Sequence, residues 1–353
     1  MTGAGTPILV PVLPNHRFNE DALRRYLTDK VPGFEQSCTV RQFQGGLSNP
    51  TFHVQAGQHA YVLRKKPPGK LLPSAHAVDR EFRVQRALAG SGVPVPKMYL
   101  LCEDESIMGQ MFYVMEHVEG RIFTDRLLSE CERDERAAIY REMNQVLARL
   151  HRIDHRAVGL ESFGRGENYA RRQVERWSKQ YAASASEDLP EMKQLSGWLN
   201  EHVPDRDEIT IVHGDYRLGN LVFHPTQSKV LAVLDWELAT IGHPLSDLAY
   251  CCLPWHLPRA TERGFADVDI EALGIPAEAE YLAEYCRATE RADVPNWNFF
   301  VIFSMFRIAA ILAGAYRRAL DGNASDAQTT TRVGAVYKEI AKCAWAQAQS
   351  RSR

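Results

Sequence analysis

No two of the seven cysteines are spaced as CxxC, and their odd number offers no complete disulfide framework. The chain is therefore expected to keep its thiols reduced, as a cytoplasmic protein does. Neither sign of charge is in excess: 42 Lys and Arg stand against 44 Asp and Glu, a formal net charge of -2. That excludes the basic footprint of a nucleic-acid binder. The opening residues, MTGAGTPILVPVLP, have no basic n-region and no long apolar core, so no signal peptide is expected. GAGTP also lacks the GK[ST] of a phosphate-binding loop. The most apolar stretch, Phe299 to Ala315, is interrupted by Arg307 and is too short to span a bilayer. A buried helix is expected there, and no membrane role. No internal repeat is visible.

What is present changes character along the chain. Asn19 to Val31 reads as an amphipathic helix with Asn19 as N-cap. Residues 38–66 alternate and are rich in Val, Phe, Tyr and Thr, predicting antiparallel strands with turns at Gly45-Gly46 and Gly57. A helix over Val78 to Ala89 ends at Gly90 and Gly92, and Tyr99 to Cys102 with Met111 to Glu116 predict a further strand pair. Beyond Gly120 the pattern is mainly helical, as in Glu132 to Arg152, Gln173 to Tyr181 and Met192 to Glu201. Ile209 to Leu234 interrupts it with short apolar strands around a polar loop. The expected fold class is α+β in two lobes: a β-rich lobe over residues 1–116, and a larger, mainly helical lobe over 117–353. A ligand cleft is expected between them.

The polar loop carries the chemistry. In IVHGDYRLGNLVF, Asp215 and Asn220 lie five positions apart between two apolar strands, and a third strand, Val230 to Leu234, ends in Asp235. Phosphoryl transfer needs this set. A carboxylate, Asp215, takes the proton of the attacking hydroxyl. An amide oxygen and a second carboxylate, Asn220 and Asp235, hold Mg2+, a hard cation that favours oxygen ligands. His213 and Arg217 would orient the loop and neutralise nearby carboxylates. A lone Asp in a loop is usually a turn or cap residue. The complete pattern, HGDxxxxN and then a strand ending in Asp, sets this loop apart.

HGDYRLGN followed by LDWE resembles the choline-kinase and aminoglycoside-phosphotransferase superfamily, whose fold is that of the protein kinases. Within it, GGLSNPTFHV, YVLRKKPPG, REFRVQRAL, VPVPKMYLLCED, FYVMEHVEGR and LDWELATIGHPLSDLAY resemble the phosphotransferase domain that accompanies acyl-CoA dehydrogenases. The resemblance implies a protein-kinase-like fold, ATP and Mg2+ as cofactors, and a small-molecule hydroxyl acceptor. It supports Asp215 as base and Asn220 and Asp235 as metal ligands. It puts Arg64 of YVLR on the phosphates, where many members carry Lys, with Glu81 as its partner. Arg can hold phosphate and carboxylate oxygens bidentately. Lys65 should point to the opposite face of the strand. Gly45, Gly46, Ser48 and Asn49 would lie over the phosphates, the main chain of Glu116 and Val118 would meet adenine, and Asp247 would brace the catalytic loop.

Residues 296–320 contain no Asp or Glu but do contain Arg307, Arg317 and Arg318. That suits an anionic acceptor better than a cationic antibiotic. With the subgroup resemblance it points to a hydroxy acid or its CoA ester, and to work alongside an acyl-CoA dehydrogenase. Trp255, Trp297 and Tyr316 would line an apolar pocket or fill the core. Two alternatives stand beside this reading. One is an aminoglycoside or choline-type kinase; the other is a nucleotide-binding pseudokinase, suggested by Arg64 in place of Lys.

Overall fold

Alternation of apolar side chains along the N-terminal strands decides how the first part of the chain packs. In the computed structural model, which describes residues 7–35, 37–44, 49–68, 76–323 and 327–350, these strands are β1 (Leu9–Val10), β2 (Cys38–Phe43), β3 (Thr51–Ala56), β4 (His59–Lys65), β5 (Met98–Cys102) and β6 (Phe112–Glu116). They form one antiparallel sheet in the order β1-β2-β3-β4-β6-β5. Phe52, Val54, Tyr61, Leu63, Phe112 and Val114 turn to one face. There they bury Leu23 and Leu27 of helix α1 (Glu20–Thr28). Asn19 caps α1 by accepting the Ala22 N–H at 3.0 Å. Val62, Tyr113 and Met115 turn to the other face, against Val78 and Phe82 of helix α2 (Val78–Leu88). Glu81 falls within the buried stripe of α2 at helical spacing from Val78 and Gln85.

The chain divides into two compact units, and the division is not the single cut expected after residue 116. Unit 1 comprises Met1–Thr124 together with Arg156–Phe163 and Leu218–Ala239. The reason lies in the hairpin of β8 (Leu221–Phe223) and β9 (Val230–Val233). The Val233 N–H donates to the Pro94 carbonyl at 2.9 Å, and Arg121 and Phe223 exchange main-chain hydrogen bonds at 2.8 Å. These bonds tie the hairpin to the N-terminal sequence, far from its neighbours in the chain.

Unit 2 comprises Asp125–His155, Gly164–Arg217 and Thr240–Arg353. Its helices include α4 (Arg133–His151), α7 (Pro244–Cys251) and α10 (Trp297–Arg318), and a short ladder pairs β7 (Thr210–Val212) with β10 (Thr240–Gly242). Helix α10 runs 22 residues, longer than the apolar stretch suggested, and is long and apolar enough by composition to cross a membrane. Its side chains are nevertheless mostly buried within unit 2, where it packs against α7 and the C-terminal helix. It is a core helix, as expected. Trp255 is half-buried, edge-on to Tyr140 and Phe265 and tilted against Tyr281. Trp297 donates to Glu278, and Tyr316 packs on Tyr337.

Phe52 is fully buried between α1 and the sheet. Phe52→Ala should cost about 3–5 kcal/mol, read as a fall in the urea midpoint with the slope unchanged.

Candidate functional site

The β8–β9 ladder positions the first group of site residues. Leu221 pairs with Val233, and one step further the Leu234 N–H donates to the Asn220 carbonyl at 2.8 Å. Asn220 and Asp235 are thereby set side by side at the open end of the hairpin. Asp235 adopts the left-handed conformation, with φ 67° and ψ 57°. Among non-glycine residues Asn and Asp accept this most readily. Both residues line a cavity of about 570 Å³ within unit 1.

Strand alternation brings Arg64 to the same cavity. Its guanidinium lies 3.0 Å from Glu81 Oε2, 2.9 Å from Asp235 Oδ1 and 3.4 Å from Glu237 Oε2. Lys65 points to the other face, buried over the Phe18 ring with its Nζ 3.4 Å from the Met108 carbonyl. Arg64 is thus the basic residue of β4 at the cavity. Burial works against its charge, but Glu81, Tyr113, Asp235 and Glu237 raise its pKa above the ordinary arginine value. Burial pushes Glu81 up to about 7, with Arg64 pulling it down and Asp235 pushing it further. Three carboxylates share one guanidinium, so the group is short of positive charge.

The Asn49 side chain has a further task beside the main-chain role expected of its turn. It is buried, its Nδ2 donates to Glu81 at 2.9 Å, and its Oδ1 meets His76 Nδ1 at 3.0 Å. With Tyr113, whose hydroxyl donates to Glu81 at 3.0 Å, the Asn49 side chain positions Glu81. Gly45, Gly46 and Ser48 lie outside the described residues. Glu116 and Val118 line the cavity. The Glu116 N–H is committed to the Lys97 carbonyl at 2.8 Å, so a base can meet Glu116 only through its carbonyl. Gly120 is required where it stands, because a Cβ there would fall 2.2 Å from the Phe223 carbonyl oxygen.

The second group belongs to unit 2. Buried Asp247, on the first turn of α7, accepts the N–H of His213 at 2.5 Å and of Gly214 at 2.8 Å, with His151 Nε2 at 3.5 Å. It braces the loop from beneath. Burial alone would raise its carboxyl; hydrogen bonding and charge from His151, then His213 and the Gly214 N–H, hold it below the usual range instead. The His213 ring is fully buried, and its Nδ1 accepts the Asp215 N–H at 3.1 Å. His213 therefore shapes the loop. Asp215 is partly exposed, with Arg217 Nε 3.2 Å from its Oδ2 and the Tyr250 hydroxyl hydrogen-bonded to it.

Arg307 is buried on α10, donates to the Gly214 carbonyl, and lies over the rings of Trp177 and Tyr250 at 5.3 and 5.1 Å. Arg317 pairs with Asp321 on the exposed helix end. Arg307 is thus engaged with the catalytic loop and Arg317 with its own helix end. Two contributors escaped the sequence reading. Glu237, two residues past Asp235, could have been found from LDWE. The Arg307–Gly214 contact, 93 residues apart, left no local signal.

A family model described as phosphotransferase enzyme family matches residues 39–288. This chain belongs to that family. It is 48% identical to acyl-CoA dehydrogenase family member 11 of Homo sapiens over 327 residues, covering 91% of the chain and 42% of the relative. It spans less than half the length of each acyl-CoA dehydrogenase family relative that it matches here. A solved structure from Ralstonia eutropha, provisionally named an aminoglycoside phosphotransferase, is 47% identical with a TM-score of 0.86, covering 95% of this chain and 99% of that one. A choline kinase from Cryptosporidium parvum shares the fold at a TM-score of 0.62 and 13% identity, covering 95% of each chain. The fold is the α+β, protein-kinase-like fold of these structures.

Because Asp247 is held below the usual carboxylate range, its contribution to stability is present above the unfolded-state value near 3.8 and is lost as pH falls through its folded value. Asp247→Asn should cost about 2–4 kcal/mol at pH 7. In melting curves against pH, the gap to the unaltered protein should close only below about pH 4.

Proposed function

We propose that this phosphotransferase moves the γ-phosphoryl group of ATP to the hydroxyl of an acyl compound, a hydroxy acid or its CoA ester. The observation that carries the kinase reading is the placing of Asn220 next to Asp235 in the wall of a cavity that Arg64 also lines. The cavity has apolar walls in Val62, Met115, Val222 and Leu234 for a flat aromatic base.

The donor set fits Mg2+. Amide and carboxylate oxygens suit a hard cation that retains waters and takes the remaining oxygens from phosphates. The surplus of carboxylates around Arg64 fits a site that admits a second positive charge. Bound there, magnesium would offset the charge of the nucleotide phosphates. Arg64, held by Glu81, would give its remaining N–H groups to phosphate oxygens, and its bond to Asp235 would yield to the metal. Asp215 would accept the acceptor hydroxyl's proton, general-base catalysis being worth roughly 10²–10⁴-fold. Tyr250 and Arg217 hold its carboxylate in place.

The acyl assignment is supported by the names of the longer relatives, which join a region like this one to acyl-CoA dehydrogenases. Work alongside such a dehydrogenase belongs to the same proposal.

Asp215→Ala should lower turnover by roughly 10²–10⁴-fold while binding of Mg·ATP, followed calorimetrically, is retained. Full turnover in that variant would end the assignment of the base. In a coupled ADP-release assay at equal concentrations, hydroxy acids or their CoA esters should outperform choline and kanamycin. A preference for either of the cationic acceptors would refute the acyl reading. A protein that binds Mg·ATP but phosphorylates no acceptor would instead be a pseudokinase.

A further inference from the structure

Two arginines of unit 2, Arg126 and Arg263, lie near Tyr250, whose hydroxyl is hydrogen-bonded to Asp215. Arg126 is half-buried, and its NH1 donates to the Glu262 main-chain carbonyl at 2.9 Å. That places its guanidinium beside the turn that continues into Arg263. Neither arginine has an ion-pair partner among the described residues. The carboxylates next to them in sequence are used elsewhere. Asp125 accepts the N–H groups of Leu127 and Ser129, each at 3.0 Å. Glu262 pairs with Arg332 at 3.5 Å. The Tyr140 hydroxyl, donating to the Arg126 carbonyl at 2.6 Å, fixes the main chain from which the side chain extends.

The two guanidinium groups repel one another and share Tyr250 as a neighbour. Burial, then Arg263, Tyr140 pulling the other way, and then Arg217 hold Arg126 below the ordinary arginine range. Tyr250, which hydrogen-bonds Asp215, feels Arg263 as well. Like charges of this kind cost energy unless an anion completes them. Paired guanidinium groups bind carboxylate and phosphate with short, directional hydrogen bonds.

We propose that Arg126 and Arg263 form an anion site for the acceptor, taking a carboxylate or phosphate group of the molecule whose hydroxyl meets Asp215. This rests on the kinase reading above and adds to it the residues that select an anionic acceptor. The shared chemistry is an oxyanion; its source is the acid's own carboxylate or the phosphates of a CoA moiety.

The test uses the full chain without ATP, so that binding is read separately from turnover. Calorimetric titrations compare 3-hydroxybutyrate, its CoA thioester and its neutral methyl ester against the unaltered protein, Arg126→Gln and Arg263→Gln. Melting curves confirm that each variant is folded, and Arg263→Gln serves if Arg126→Gln is not. The unaltered protein should bind at least one of the two anions and bind the methyl ester more weakly. Each folded variant should lose roughly ten-fold or more in affinity for that anion, with Mg·ATP affinity unchanged. Binding of the free acid identifies the carboxylate as the anchor; binding of the thioester alone identifies the CoA phosphates. The site is refuted if the unaltered protein binds neither anion, if the methyl ester binds as well as the acid and the thioester, or if both substitutions leave anion affinity unchanged. Failure of the kinase reading looks different: anion binding and its loss in the variants persist, but no acceptor is phosphorylated.

Discussion

One guanidinium joins three separate parts of unit 1. Arg64 belongs to a strand, Glu81 to the helix packed on that strand, and Asp235 and Glu237 follow the β8–β9 hairpin. Each side chain arrives for a local reason. Strand alternation turns Arg64 toward α2, helical spacing turns Glu81 toward the sheet, and the ladder end places Asp235 next to Asn220. Asn49 and Tyr113 hold Glu81 so that it can hold Arg64. The group is balanced only in part, with one cation for three carboxylates. That imbalance supports the proposal that the group takes up further positive charge.

The loop of unit 2 is built on the opposite plan. Its main chain is held by groups of the same unit. Asp247 takes two main-chain N–H groups, His213 takes a third, and Arg307 holds the Gly214 carbonyl from α10. A loop fixed at three successive residues presents the Asp215 carboxylate with little freedom to reorient. Preorganisation of this kind is what proton transfer at a defined position requires.

Much of this was legible in the sequence, because it depends on short spacings. Alternation in HAYVLRK separates Arg64 from Lys65, and the stripe in VDREFRVQRAL exposes Glu81 as the odd acid among buried neighbours. HGDYRLGN and the strand ending in Asp235 announced themselves by order. Contacts between distant segments were not legible. The cut after residue 116 missed that Leu218–Ala239 packs with the N-terminal sequence, since hydrogen bonds such as Val233 to Pro94 span over a hundred residues. The side-chain bonds of Asn49 to Glu81 and His76 were not legible either, since they join residues 32 and 27 positions apart. The arginines credited with favouring an anion were those of α10. The two on which the proposed anion site rests, Arg126 and Arg263, lie in other segments, where no local spacing marks them.

The central claim is that Arg64 and Asp235 act together in holding the nucleotide phosphates. It is tested most directly by a double-mutant cycle of Arg64→Met and Asp235→Asn, read as Mg·ADP affinity by calorimetry. If the two side chains act on one ligand through a shared contact, the losses should be non-additive, with a coupling of about 0.5–3 kcal/mol. Additive losses, or affinities unchanged by either substitution, would contradict the account.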